Sequence, residues 1–337
     1  MRASADTWRL NSARRITVSE LMKRKFRFGL QAGPVDSASA WRDMARKAED
    51  LGFSTLLLGD HMGRGPAPLI AAMAAAAATS RLRLSTQVIA HGFRNPAMLA
   101  KEVATLDVLS DGRFELGIGA GWPSSSPTGQ SDYRQLGLPL DEPGPRVSAF
   151  MEAVRIVKAF LSSDEPVDFE GKFYHHQGLV TSPRPVQKPH PPILIAGAGP
   201  RIMRFAAREA DIINIAPRPP TVGPTPRGSI GFGMTMADEV NLIKEAAGDR
   251  YSRVELSVYA QAIDINDDEK GAIEKVAKDL DTTREAADDM PATLVGPVGS
   301  IIDRIQRHRD KYDISYRIVP FYAMEAFAPV IAKLAGN

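Results

Sequence analysis

Asp60 and His61 stand side by side just past Thr55-Leu56-Leu57-Leu58, an apolar run of the kind a buried strand carries. An imidazole titrates near neutrality, so a carboxylate–histidine pair at a strand end suits proton transfer; the plain alternative is a structural histidine. A second concentration of chemistry is Gly117-Ile118-Gly119-Ala120-Gly121-Trp122. Trp122 stands where a dinucleotide fingerprint needs glycine, and no helix is read directly after it, which excludes that motif. The glycines still require close backbone approach, either to a flat ring or to steric relief in a tight turn. A third is Ile193 to Arg201, where Gly197-Ala198-Gly199 leads into Pro200 and Arg201. The free N–H groups of a helix start, with one cation, form an anion site; an empty capped turn is the alternative.

Other chemistries are excluded by what the chain lacks. It has no cysteine, so disulfide scaffolds, thiolate nucleophiles, iron–sulfur clusters and thiolate-bound zinc are out. His175, His176, His190 and His308 lack metal-ligand spacing, so no metal is expected. Neither a G-x-S-x-G elbow nor a Walker loop is present. Any redox chemistry must then be borrowed from an organic cofactor.

Charge excludes another class. The 337 residues hold 42 Lys and Arg against 40 Asp and Glu, but residues 1–25 alone carry a net +5, leaving −3 on 26–337. The basicity therefore belongs to a flexible N-terminal extension, and no nucleic-acid partner is expected. That extension has no apolar core of a secretory signal, and no run of about 18 apolar residues exists to span a membrane. A cytoplasmic location is the expectation.

From Phe26 the pattern alternates strand-like and helix-like segments. Strands are expected at 26–31, 54–59, 83–90, 113–119, 192–196, 211–216, 254–262 and 316–321. Helices are expected between them, the first capped by Asp36, the third by Asn95-Pro96, and one covering 267–288. A small hairpin or strand is read near Gly171–Tyr174. Residues 122–144, rich in proline and glycine, read as a loop, and Pro217–Gly233 as a loop over the barrel mouth rather than an interdomain linker. Eight strands with intervening helices predict a single (β/α)8 TIM barrel over 26–337, with long insertions at its C-terminal face; a doubly wound open sheet is the runner-up. Function would then sit at the C-terminal strand ends, which begin with Gln31 and Asp60-His61.

Three stretches carry a family resemblance: ARKAEDLGFSTLLLGDH (45–61), FRNPAMLAKEVATLDVLSDGRFELGIGAG (93–121) and RPVQKPHPPILIAGAGPRIMRFAAREADIINIAP (184–217). They resemble the luciferase-like flavin monooxygenase and deazaflavin-dependent oxidoreductase superfamily, and within it the branch that uses coenzyme F420. The resemblance implies a cofactor across the barrel mouth, with Asp60 and His61 beside its reactive ring; Gln31, from its place at a strand end, is expected to contact the cofactor as well. It implies a cis peptide at Gln87-Val88 supporting the ring, with Gly119, Ala120, Gly121 and Trp122 flanking it. Gly197, Ala198, Gly199 and Arg201 would hold its phosphate. His61, oriented by Asp60, is the expected proton donor in hydride transfer between reduced F420 and an imine, activated alkene or carbonyl. Where the sugar-phosphate dehydrogenase branch has an acid, this chain has Trp122-Pro123-Ser124, which puts a sugar phosphate in doubt. The alternatives are an FMN-dependent monooxygenase fed by a separate cofactor-reducing enzyme, and a barrel that binds without catalysis. Family members commonly dimerise, so a homodimer is also an expectation.

Overall fold

In a computed structural model the described residues are 24–122, 124–180, 182–216 and 234–337. Most of the expected basic extension (1–23) and the expected mouth loop (217–233) lie outside them. The chain opens with β1 (Arg27–Gln31), α1 (Ala38–Asp50), β2 (Thr55–Leu58), α2 (Pro68–Ala76) and β3 (Arg83–Thr86). The Gln87–Val88 peptide is cis, and β4 (Ile89–Ala90) continues beyond it. Then come α3 (Pro96–Leu109), β5 (Phe114–Gly119), α4 (Pro127–Leu136) and α5 (Pro143–Ser162). An antiparallel hairpin, β6 (Val167–Glu170) with β7 (His175–Leu179), leads to β8 (Ile193–Gly197), α6 (Pro200–Glu209) and β9 (Ile212–Ile215). The remainder runs α7 (Met236–Ala247), β10 (Glu255–Tyr259), β11 (Ala262–Ile265), α8 (Glu269–Asp279) and α9 (Arg284–Asp289). It ends with β12 (Thr293–Gly296), α10 (Val298–Tyr312), β13 (Ile314–Pro320) and α11 (Met324–Leu334).

The strands close a barrel. β2 pairs with β1, β1 with β13, β13 with β10, β10 with β9, β9 with β8 and β8 with β5, all parallel. β3 pairs with both β2 and β5, through Leu84↔Phe114 and Ser85↔Glu115, which completes the ring. This is the (β/α)8 barrel that the alternation predicts. Strands such as β2 and β9 are buried at every residue because helices cover them outside and side chains fill them inside. The filling includes Leu57, Leu194, Ile212, Tyr316 and Ile318.

The N-terminal end of the barrel is plugged by charge. Glu115 lies 2.7 Å from Arg27 and 2.6 Å from Arg83, and Arg27 reaches Glu255 at 3.3 Å. Burial alone would raise the Glu115 carboxyl, but the two guanidiniums outweigh it and hold it below the usual carboxylate range. Arg27 also sits 4.0 Å over the Tyr316 ring.

Three expectations need correction. Ser37, not Asp36, caps α1, its hydroxyl accepting from the Ala40 N–H. The expected long helix over 267–288 is two helices, α8 and α9, and the following β12 pairs in parallel with β11 in a small separate sheet. Most important, the segment read as a loop contains α4. Ser126 Oγ accepts from the Gly129 N–H at 3.3 Å, Pro127 takes the first helical position, and Gly137 ends the helix at φ 67°.

Candidate active site

The C-terminal mouth of the barrel holds a cavity of about 620 Å³. Successive strand ends line it: Gln31 at the end of β1, His61 and Arg64 after β2, Gln87 between β3 and β4, and Trp122 after β5. On the far side stand Asn214 and Ile215 of β9, Tyr259 of β10 with Gln261 beyond it, and Phe321 with Tyr322 after β13. The walls are aromatic and apolar, punctuated by side-chain amides.

His61 is held by a residue the sequence does not point to. Its Nδ1 lies 2.9 Å from Oδ2 of Asp132 on α4, and Oδ1 of the same carboxylate accepts the Met62 N–H at 3.2 Å. Asp132 is buried. A carboxylate only accepts, so Nδ1 carries the ring proton and Nε2 is left as the acceptor. The Arg64 guanidinium, which only donates, lies 3.3 Å from Nε2. The Trp122 ring packs 5.9 Å from the imidazole at a tilt of 31°.

Asp60 does not orient His61. Its carboxylate accepts two bonds from Arg94, at 2.6 and 3.1 Å, and one from the Ala90 N–H at 3.2 Å. It fastens the end of β2 to the chain after β4, and it is not among the cavity's lining residues.

The glycines of β5 are hemmed in by the neighbouring strand. A Cβ on Gly117 would stand 1.7 Å from the Thr86 carbonyl oxygen, and one on Gly119 would stand 2.8 Å from Val88 Cγ2. Here the close approach is to the neighbouring strand and the cis turn. Gln87 and Trp122 line the cavity, whereas Val88, Gly119, Ala120 and Gly121 are not among its lining residues.

Arg201 is likewise elsewhere. Its guanidinium donates to the Gly144 carbonyl at 3.1 Å and to Ser148 Oγ at 2.7 Å, both in the first turns of α5. Gly197 ends β8, Ala198 follows it, and Gly199 is the N-cap of α6, where it provides no side-chain cap. The N–H groups of that helix start therefore keep their capacity for an anion.

Gln87 supplies a direct sign of a missing partner. Its Nε2 makes a long 3.5 Å contact to Asn214 Oδ1, while its Oε1 is buried without a hydrogen-bond partner. Asn214 in turn donates to Ser257 at 3.0 Å. An unsatisfied buried acceptor in a cavity wall fits a ligand that brings an N–H.

Residues 22–223 match the family model of the luciferase-like monooxygenases. The chain belongs to that family. Its relatives include an F420-dependent glucose-6-phosphate dehydrogenase of Kineococcus radiotolerans, 34% identical over 177 residues, half of each chain. Another, from Nakamurella multipartita, is 28% identical over 325 residues, covering 88% of this chain and 90% of that one. Against the first two such relatives the chain spans only about half of their length. In fold, this luciferase-like barrel superposes on a coenzyme F420-dependent tetrahydromethanopterin reductase from Methanopyrus kandleri with a TM-score of 0.69. That likeness covers 93% of this chain and 99% of the other at 18% identity.

Sequence reasoning missed Asp132 and Arg64. Asp132 had a readable signal, because Ser126-Pro127 and Gly137 are start and stop marks of the helix that presents it. Arg64 had none beyond its place three residues after His61.

Proposed function

We propose that this luciferase-like protein is a cytoplasmic oxidoreductase that binds coenzyme F420 across the barrel mouth and exchanges hydride with a small organic substrate, an imine, activated alkene or carbonyl. The observation that carries the reading is His61, fixed by Asp132 with Nε2 directed to the Arg64 side of an amide-lined cavity. The F420-dependent relatives support the choice of cofactor.

The residues present fit such a group. A deazaflavin ring offers an imide edge of alternating N–H and C=O, which suits Gln87 Oε1 and the amides of Gln31, Asn214 and Gln261. The start of α6 suits its phosphate, with Gly197 to Gly199 forming the turn. Arg201 would contribute there only after leaving Ser148 and Gly144. When bound, the deazaflavin supplies a ring carbon that gives or takes hydride.

The chain's own part is proton movement and shielding. His61 takes a proton at Nε2 when a substrate hydroxyl is oxidised and returns it when a carbonyl is reduced. Asp132 stabilises the imidazolium formed in between. Trp122, Tyr259, Phe321 and Tyr322 exclude water from the reacting atoms.

The reading is tested by anaerobic incubation with reduced F420 and a panel of imines, enones and ketones, alongside FMNH2 in an oxygen electrode. Oxidation of F420 dependent on one of these substrates, with no oxygen atom from O2 transferred to any of them, is expected. Transfer of an oxygen atom from O2 to a substrate with FMNH2 would make the protein a two-component monooxygenase served by a separate reductase.

We also propose a homodimer through the outer face of α2 and α3. Ile70, Met98 and Leu109 are exposed there to 76, 56 and 59%, and the rim carries Lys101 and Glu102, one charge of each sign for a two-fold axis to pair. A dimer mass in solution that is lost in Ile70→Glu/Met98→Glu is expected; an unchanged mass would refute this interface.

A further inference from the structure

Arg64 is the only arginine, lysine, aspartate or glutamate lining the mouth cavity, as judged among the described residues. Among the described residues no carboxylate in the lining offsets it, and it contacts His61 Nε2 at 3.3 Å. The residue sits between Gly63 and Gly65, the latter at φ 75°, a conformation that side-chain-bearing residues rarely adopt. Arg64 is exposed, so its guanidinium is not locked by packing. A cation in an otherwise uncharged, largely apolar cavity calls for an anion, and a guanidinium calls for one with two oxygens.

Resting on the reading that a deazaflavin fills the mouth, we infer that the substrate is a 2-hydroxy acid or its 2-oxo counterpart, with the carboxylate held by Arg64 and the reacting oxygen on His61 Nε2. The spacing selects this class. Arg64 touches the acid–base atom itself, so an anion held there belongs to the carbon next to the one that reacts. A substrate whose charge lies several carbons away, such as a sugar 6-phosphate, would leave Arg64 unused during reaction at its far end. The substrate hydroxyl displaces Arg64 from Nε2, and the freed guanidinium receives the carboxylate.

The redox step balances. The carbinol C–H leaves as hydride with both electrons to the oxidised deazaflavin, the O–H proton passes to Nε2, and the C=O bond of the 2-oxo acid forms; reduction runs the same path in reverse. The aromatic residues Trp122, Tyr259, Phe321 and Tyr322 favour an aryl or branched apolar group on the carbinol carbon.

The test uses benzoylformate as the acid probe and methyl benzoylformate as its neutral match. Tryptophan fluorescence, with Trp122→Phe to identify the Trp122 contribution among Trp8, Trp41 and Trp122, reports binding, with and without oxidised F420, under conditions that allow no turnover. Wild-type protein should bind the acid more tightly than the ester, and Arg64→Gln should weaken the acid by about tenfold or more while leaving the ester unchanged. Arg64→Lys should retain part of the preference, which separates lost charge from a disturbed loop. Equal binding of acid and ester by the wild type, equal acid binding by Arg64→Gln, or no binding of either probe would overturn the inference. Cofactor binding is followed separately by deazaflavin absorbance. Acid selectivity without F420 binding would sink the cofactor reading alone, and F420 binding without acid selectivity would sink the substrate class alone.

Discussion

Asp132 Oδ2 lies 2.9 Å from His61 Nδ1 across 71 residues of sequence, and this bond decides which ring nitrogen faces the cavity. Replacing Asp132 with Asn keeps the shape but offers Nδ1 an N–H in place of a lone pair. The imidazole then carries its proton on Nε2 and cannot accept there. Asp132→Asn should lower kcat by about 10²–10⁴-fold with little change in melting temperature. A rate within a factor of two of wild type would show that Asp132 only braces α4.

Asp60 stands next to His61 in sequence but serves another purpose. Arg94→Ala would leave a nearly buried carboxylate with only the Ala90 N–H, so a stability loss on the order of 1–3 kcal/mol is expected in urea unfolding. The pH profile of the surviving enzyme should be unchanged. A shifted profile would put Asp60 back into the proton path.

Glu115 joins Arg27 and Arg83 at the closed end of the barrel. Glu115→Gln leaves both guanidiniums short of charge in a buried site, which costs about 3–5 kcal/mol. Denaturant unfolding measures this directly, and an unchanged midpoint would mean that the network is neutral. Arg27 retains its 3.3 Å contact with Glu255, so the lower end of that range is expected.

Acid should weaken the fold in a defined window. Burial, more than any neighbouring charge, pushes the His91 imidazole down to about 4. Burial first, and then Arg317, Arg307 and Arg304, push that of His308 further down. Unfolding frees both rings to take a proton near pH 6.5, so the unfolded state binds more protons below that pH. The contribution of His91 is complete above about pH 6.5 and is lost as pH falls to about 4; that of His308 continues to decline lower. Glu115, held below the usual carboxylate range, adds a loss in the same direction as pH falls below about 4.5. The slope of unfolding free energy against pH between 6.5 and 4 should be smaller in His91→Gln and His308→Gln. An identical slope in both variants would mean that neither ring is held neutral.

The barrel was legible because its signals are local. Apolar runs such as Thr55–Leu58 mark strands buried on both faces, and Asn95-Pro96 marks a helix start that forms as expected. The Asp132–His61 bond was not legible, because adjacency in sequence favoured Asp60 and the proline-rich composition of 122–144 hid α4. The glycines at 117 and 119 were ambiguous for a physical reason: a strand and a ring impose the same steric demand, and only the fold shows that a Cβ on Gly117 would stand 1.7 Å from Thr86 and one on Gly119 2.8 Å from Val88. Arg201 looked available for an anion because sequence cannot show that α5 supplies it with Ser148 and Gly144.

The cofactor is the centre of the account, and an equilibrium titration tests it most directly. Oxidised F420 and FMN are added separately to the protein while tryptophan fluorescence and cofactor absorbance are followed, with Gln87→Leu as the comparison. Saturable F420 binding at one site per chain, weakened in Gln87→Leu, and weaker binding of FMN are expected. Saturable binding of FMN with none of F420 would contradict the F420 assignment.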